Sequence, residues 1–152
     1  MALELSTIGV KLKYCAETTA GTKPTSGYTE IANITSIGEI NANPDQLEVT
    51  NLVDTWKRYI AGVRDTGGNI PIGANFTAAF KTAWGAVVTA YATAFAAGKA
   101  LWWEVNVPNF GSFYFAGEPI DLGLPGIEVN NVFAGEVEII PNQVTGWSTA
   151  ST

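Results

Sequence analysis

The chain has 152 residues and a net charge of −6, with 47% apolar but only 14% charged residues, where an average soluble domain carries roughly 25% charged. That length suits a single domain with a real core. The scarcity of charge points either to surface that another molecule covers or to a merely hydrophobic monomer. With no histidine and one cysteine, histidine-based acid–base chemistry, an internal disulfide and a cysteine-rich zinc site are excluded.

Charge is unevenly spread. All eight Lys and Arg residues fall within positions 1–99, where eight acids cancel them. Positions 100–152 hold Glu104, Glu118, Asp121, Glu128, Glu136 and Glu138 and no base. The net charge therefore belongs to the last third. This argues against nucleic-acid binding, which needs Lys and Arg to neutralise phosphates, and leaves room for a surface that repels nucleic acid. The start, Met1 to Leu5, shows neither the basic nor the long apolar segment of a signal peptide. The sequons at Asn33 and Asn75 therefore carry no weight.

In chain order, residues 8–15 alternate as a strand, with Ile8, Val10, Leu12 and Tyr14 on one side and Lys11 and Lys13 on the other. Cys15 closes that strand as a passive thiol, with no histidine to activate it. Residues 16–29 read as a Thr/Gly/Ser-rich loop. Tyr28 to Ile40 is extended, with a bulge or bend at Gly38. Asn41 to Asp45 is a turn cluster. Gln46 to Thr50 is a strand, and residues 50–68 form a long loop with a short helical turn around Val53–Tyr59. Asn69 to Ala74 alternates again, and Pro71 marks it as an edge strand.

Residues 77–97 are an amphipathic helix, roughly 31 Å long. Phe80, Trp84, Val87, Val88, Tyr91 and Phe95 form its apolar stripe. Asn75 or Thr77 suits the N-cap, and Gly98 the C-terminus. Thr82, Thr89 and Thr93 interrupt it well short of the roughly 20 apolar residues of a membrane span. Its back is Ala, Thr and Gly with one charge, Lys81, which fits either a subunit contact or a plain Ala-rich surface.

The rest is β. Leu101, Trp103, Val105 and Val107 alternate with Trp102, Glu104 and Asn106. Phe113 and Phe115 alternate with Tyr114 and Ala116. Glu136 and Glu138 share a face opposite Val137 and Ile139. Gly117 to Gly126 is a turn region, and residues from about 142 to 152 form an extended C-terminal tail.

No GxxxxGK[ST] or GxGxxG phosphate loop occurs. Glu136 and Glu138 are one strand period apart, the spacing of a solvated stripe rather than of two carboxylates facing across a cleft. No catalytic, cofactor-binding or metal-binding residue emerges, so the expectation is a protein that is not an enzyme. A rival reading is a monomeric carbohydrate-binding sandwich that uses Trp102 and Trp147 as an aromatic platform. Against it, Trp103 reads as core and Trp102 as interface.

The segment Thr50-Asn51-Leu52-Val53-Asp54-Thr55-Trp56-Lys57-Arg58-Tyr59-Ile60-Ala61-Gly62 adds a further signal. With the order of elements around it, it resembles the major tail-tube proteins of long-tailed, non-contractile phages, over residues 1 to about 147. The resemblance implies a mainly β fold, a single barrel-forming β-sandwich domain with one flanking helix at about 77–97. It implies hexameric rings that stack into a tail tube, an acidic lumen through which the genome passes without specific binding, and a place in the virion after synthesis in the host cytoplasm. A tape-measure protein and a tail terminator are the implied partners, with no membrane and no cofactor. Inner tubes of contractile particles share the architecture and are the alternative. No long finger insertion stands out in residues 41–66. Trp56, Arg58 and Tyr59 are the expected subunit-interface residues, because interfaces favour Trp, Tyr and Arg. Glu104, Glu136 and Glu138 are the expected lumen-lining acids, each on a strand in the base-free last third.

Overall fold

A computed structural model describes residues 4–152. Residues 1–3, part of the segment inspected for a signal peptide, lie outside the described residues. The chain is mainly β with one helix, as the sequence predicts. The strands are β1 (Lys11–Ala16), β2 (Thr29–Ile31), β3 (Ile34–Ile37), β4 (Asn43–Glu48), β5 (Tyr59–Asp65) and β6 (Ile70–Asn75). After helix α1 (Ala78–Ala96) come β7 (Leu101–Val107), β8 (Gly111–Pro119) and β9 (Ala134–Ser148).

Seven strands form one antiparallel sheet in the order β2-β1-β7-β8-β9-β6-β3, and β4 and β5 pair only with each other. β2 and β3 stand at opposite ends of that order, yet only Ala32 and Asn33 separate them in the chain. Laid flat, seven strands span roughly 29 Å, whereas the link from Ile31 to Ile34 reaches at most roughly 11 Å. The sheet must therefore roll until its edges adjoin. Asn33 makes the corner at φ 64°, a left-handed conformation that Asn tolerates better than most residues. The amide N–H of Asn75 donates to the Asn33 carbonyl (3.0 Å), and Asn33 Nδ2 donates to Thr77 Oγ1 (3.1 Å).

The inner face of the roll is the core. Leu12, Ile70, Ile72, Trp103, Phe115, Val137 and Ile139 meet Phe80, Trp84 and Val87 of α1 there. Ring centroids run at 6.1 Å from Phe80 to Trp84, 6.0 Å from Trp84 to Trp103 and 6.2 Å from Trp103 to Phe115. Both buried indoles keep a partner, as buried tryptophans require. Trp84 Nε1 donates to the Ile120 carbonyl (2.9 Å) and Trp103 Nε1 to the Gly117 carbonyl (3.1 Å).

The helix starts at Thr77, whose hydroxyl accepts from the Phe80 amide at 3.1 Å, and ends before Gly98 at φ 71°. Its stripe is buried at Phe80, Trp84 and Val87, but Phe95 is largely exposed and Ala94 is buried instead. The bulge or bend expected at Gly38 falls instead between Ile34 and Ser36, and Gly38 is glycine for a steric reason. A Cβ there would sit 2.8 Å from Pro71 Cγ, while the Gly38 amide donates to the Pro71 carbonyl at 2.8 Å.

Four expectations need correction. β6 is not an edge strand, since it pairs with both β3 and β9. Pro71 is tolerated because β3 ends at Ile37, in register with Ile72, one residue before Gly38, the position opposite Pro71. The turn cluster at 41–45 and the long loop at 50–68 are largely a hairpin, with strand from Asn43 and again from Tyr59. The expected tail from 142 is strand up to Ser148. Trp102 is buried rather than an interface residue, because 17–28 and 149–152 cover the outer face of β7.

Candidate functional site

The β4–β5 hairpin is an arm whose strands are exposed almost throughout. Its register pairs Glu48 with Tyr59, Leu47 with Ile60 and Gln46 with Ala61. Thr50, Asn51 and Asp54 turn their polar groups inward to build the tip. The Arg58 amide donates to Thr50 Oγ1 (3.0 Å), the Val53 amide to Asn51 Oδ1 (3.1 Å) and the Asn51 amide to Asp54 Oδ2 (2.9 Å). Such local hydrogen bonds are the usual work of Asn, Asp and Thr in turns. With the polar groups turned in, Leu52, Val53 and Trp56 point out, and Trp56 remains 83% exposed. Tyr59, Ile60 and Val63 continue the apolar surface along β5. Arg58 is paired with Asp54 at 3.6 Å and Lys57 with Glu48 at 3.8 Å. The Lys57–Glu48 pair is largely open to water and adds little stability, while the Asp54 carboxylate is mostly covered by the tip.

A lone two-stranded hairpin is marginal in water, and this one carries eight large apolar side chains that the described residues leave exposed or half-exposed. Trp56, Arg58 and Tyr59, singled out in the sequence, thus lie together at the arm's tip and the start of its second strand.

The acids divide. Glu136 and Glu138 are exposed on the outer face of β9, while Val137 and Ile139 fill the core. They stand in register with Gly73 and Pro71 of β6. Asn69 Nδ2 donates to Glu138 Oε2 at 3.0 Å.

Glu104 does not join them. It is fully buried, and its carboxylate accepts from Ser112 Oγ (2.8 Å) and the Ser151 amide (3.4 Å). Burial pushes this carboxyl up, but hydrogen bonds from Ser151 and Ser112 and the charge of Lys13 outweigh it and hold it below its ordinary value. Glu104 offers no acid to a channel wall. Its β7 lies between β1 and β8, and from Leu101 to Glu104 both faces are covered.

Glu17 is a second buried carboxylate, and nothing in its Thr-rich loop marks it in the sequence. It is buried and accepts from Trp102 Nε1 (2.8 Å), the Ala100 amide (3.1 Å) and the Gly21 amide (3.0 Å). Burial raises its carboxyl, and these hydrogen bonds with the charge of Lys99 bring it below the ordinary value. Because Trp102 is spent on Glu17, the sugar platform of Trp102 with Trp147 does not exist. Trp147 is half-exposed and packs edge-on against Phe110, at 4.6 Å between ring centroids.

Burial pushes the Cys15 thiol up, the opposite of what a nucleophile needs. Among the described residues, no three His, Cys, Asp or Glu side chains converge to hold a metal ion, and no helix is long and apolar enough to cross a membrane.

A rolled antiparallel sheet with one helix and a projecting apolar hairpin is thus the class of this molecule. Its fold recurs in solved tail assemblies. It matches a chain in the tail of an empty GTA particle refined with C6 symmetry, at TM-score 0.56 and 16% identity, over 91% of this chain and 96% of that one. A chain in the virion of a native gene transfer agent matches at TM-score 0.53 and 17% identity, over 80% and 89%. A chain in the 6-fold symmetrised baseplate of the anti-feeding prophage matches at TM-score 0.57 and 7% identity, over 97% and 98%. No family model matches the sequence. No curated protein matches it either. The shared fold is one that phage-like tails and baseplates use.

Proposed function

We propose that this chain is a structural subunit of a phage-like tail, polymerising as stacked hexameric rings into the tail tube, and that it catalyses nothing. The observation that carries this is the correspondence with the C6-refined GTA tail chain, in which one fold accounts for 91% of this chain and 96% of that one. The arm supports it independently, because its apolar tip needs a cover that its own chain does not provide. In this reading Trp56 and Tyr59 anchor the arm on the next subunit. Arg58, held by Asp54, orients the tip.

Ring closure would set copies of Glu136 and Glu138 around one channel, giving a negative potential along it. A genome with one charge per roughly 1.7 Å would then be repelled at every ring and trapped at none. The product is a virion component, with a tape-measure protein inside the tube and a terminator at its end. The match to an anti-feeding prophage baseplate chain, over 97% of this chain, favours a second placement at the baseplate end of the tail.

Negative-stain imaging of the concentrated protein tests both. Long hollow tubes support the tube, and isolated rings that never lengthen favour the baseplate. A monomer at every concentration sinks the proposal.

A further inference from the structure

Residues 149–152 have no regular structure, yet they lie across the outer face of β7 and β8. Three hydrogen bonds hold them. Tyr114 OH donates to the Thr149 carbonyl (2.7 Å), the Ser151 amide to Glu104 Oε1 (3.4 Å) and the Thr152 amide to the Thr25 carbonyl (3.3 Å). Three of the four residues are exposed, and all four are small or polar. The segment therefore gains little from apolar burial and is held mainly by polar contacts.

Beneath it lies an unusual floor. Glu104 is completely buried, and its Oε2 has no hydrogen-bond partner. Burying a carboxylate is costly unless donors and charge compensate. Here the donors are Ser112 Oγ, Asn106 Nδ2 at 3.5 Å and the segment's own backbone. Lys13 of β1 stands opposite Glu104 in register. Among the described residues, no cation forms an ion pair with Glu104. The other ionisable groups at this face are Glu17, which accepts from Trp102 two residues before Glu104 on β7, Cys15 on β1, Tyr114 on β8, and Tyr28 and Lys23 on the 17–28 loop. Lys23 Nζ sits 3.7 Å above the Tyr114 ring, and Tyr28 meets that ring edge-on at 5.8 Å.

We propose that residues 149–152 are a latch over the β7–β8 face, held shut by the ionised Glu104 carboxylate and opened when that carboxylate takes up a proton. The latch amide is a donor to a charged acceptor at 3.4 Å, and an ionised acceptor strengthens a hydrogen bond over a neutral one. Neutralising Glu104 removes that advantage and leaves the segment only the hydrogen bonds of Thr149 and Thr152. Opening also returns the unpartnered Oε2 to water.

The sign follows from the same contacts. Closure favours the ionised form, so the closed latch holds Glu104 below the ordinary glutamate value of 4.5. The latch is shut at neutral pH, and its stability is lost as pH falls through the closed-state value. Lys13, Lys23, Tyr28, Tyr114 and Cys15 do not change charge across that window. Glu17, under the same face of β7, is also held below the ordinary glutamate value, so Glu104→Gln, which leaves Glu17 untouched, is the variant that assigns the trigger to Glu104. The inference concerns the single chain and does not depend on the tail reading.

Hydrogen exchange of the 149–152 amides, read by mass spectrometry, tests it. At pH 7 the wild type should show protection of at least about tenfold at Ser151 and Thr152. Acidification below the ordinary glutamate range should abolish it, after correction for intrinsic rates, while the core strands stay protected. Glu104→Gln, which mimics the neutral side chain, should bring protection in 149–152 to about one at pH 7. Ser151→Pro removes the latch donor without touching Glu104 and should free the segment at every pH in a folded chain. Full protection of 149–152 in Ser151→Pro, or in the wild type at acidic pH with the core intact, overturns the latch. If Glu104→Gln fails to fold, those two measurements still decide.

Discussion

Replacing Trp56 and Tyr59 by alanine separates assembly from folding. Covering a tryptophan removes about 150–250 Å² from water. With 83% of Trp56 still open, contact with a neighbour would bury roughly 170 Å² more, or ~4 kcal/mol at about 25 cal/mol per Å². Tyr59, 49% exposed, would add ~2 kcal/mol on the same basis. Ordering the two side chains takes back ~2 kcal/mol, and the alanines keep ~1 kcal/mol of the burial. A net loss of ~3 kcal/mol per contact corresponds to a rise on the order of a hundredfold in the concentration needed to polymerise. The folded monomer should change by only about 0.5 kcal/mol, as expected at exposed positions. Sedimentation across a concentration series reads the first quantity, and urea unfolding of the monomer reads the second. Unchanged polymerisation refutes the anchor. Loss of the monomer's fold would mean that these aromatics pack on their own domain.

Three further outcomes are expected. Glu17→Ala strands the buried Trp102 indole N–H and two part-buried amides and should cost about 2 kcal/mol or more in urea unfolding; a loss below ~1 kcal/mol would mean that water replaces the carboxylate. Because Glu17 is held below the ordinary glutamate value of 4.5, its stabilisation is present at neutral pH and lost as pH falls below that value, so the gap between wild type and Glu17→Ala should close in acid. Glu136→Lys with Glu138→Lys should give tubes of normal appearance whose particles package or eject DNA poorly, and normal infectivity would put both acids outside the channel. Thr77→Ala should cost about 1 kcal/mol through the lost helix cap, read by thermal unfolding of the monomer.

The sequence by itself determined the class of fold, the helix with its cap at Asn75 or Thr77, and the alternation that sends Val137 and Ile139 inward and Glu136 and Glu138 outward. These are local facts, set by a period of two or 3.6 residues and by turn chemistry. The same logic drew Trp56, Arg58 and Tyr59 together, since they are neighbours in the chain. Only the tertiary structure decided which faces stay wet. Glu104 alternates with Val105 just as Glu138 does with Ile139, yet a segment 47 residues away covers it. Pro71 looked like an edge marker because nothing local reveals that β3 stops one register short of needing its N–H. The arm read as a loop because its strands have no buried face, and a period of two is visible only when one side of a strand meets a core. Which strands adjoin, and what covers the sheet's outer face, depend on contacts between residues far apart in sequence, and no window of neighbours contains them.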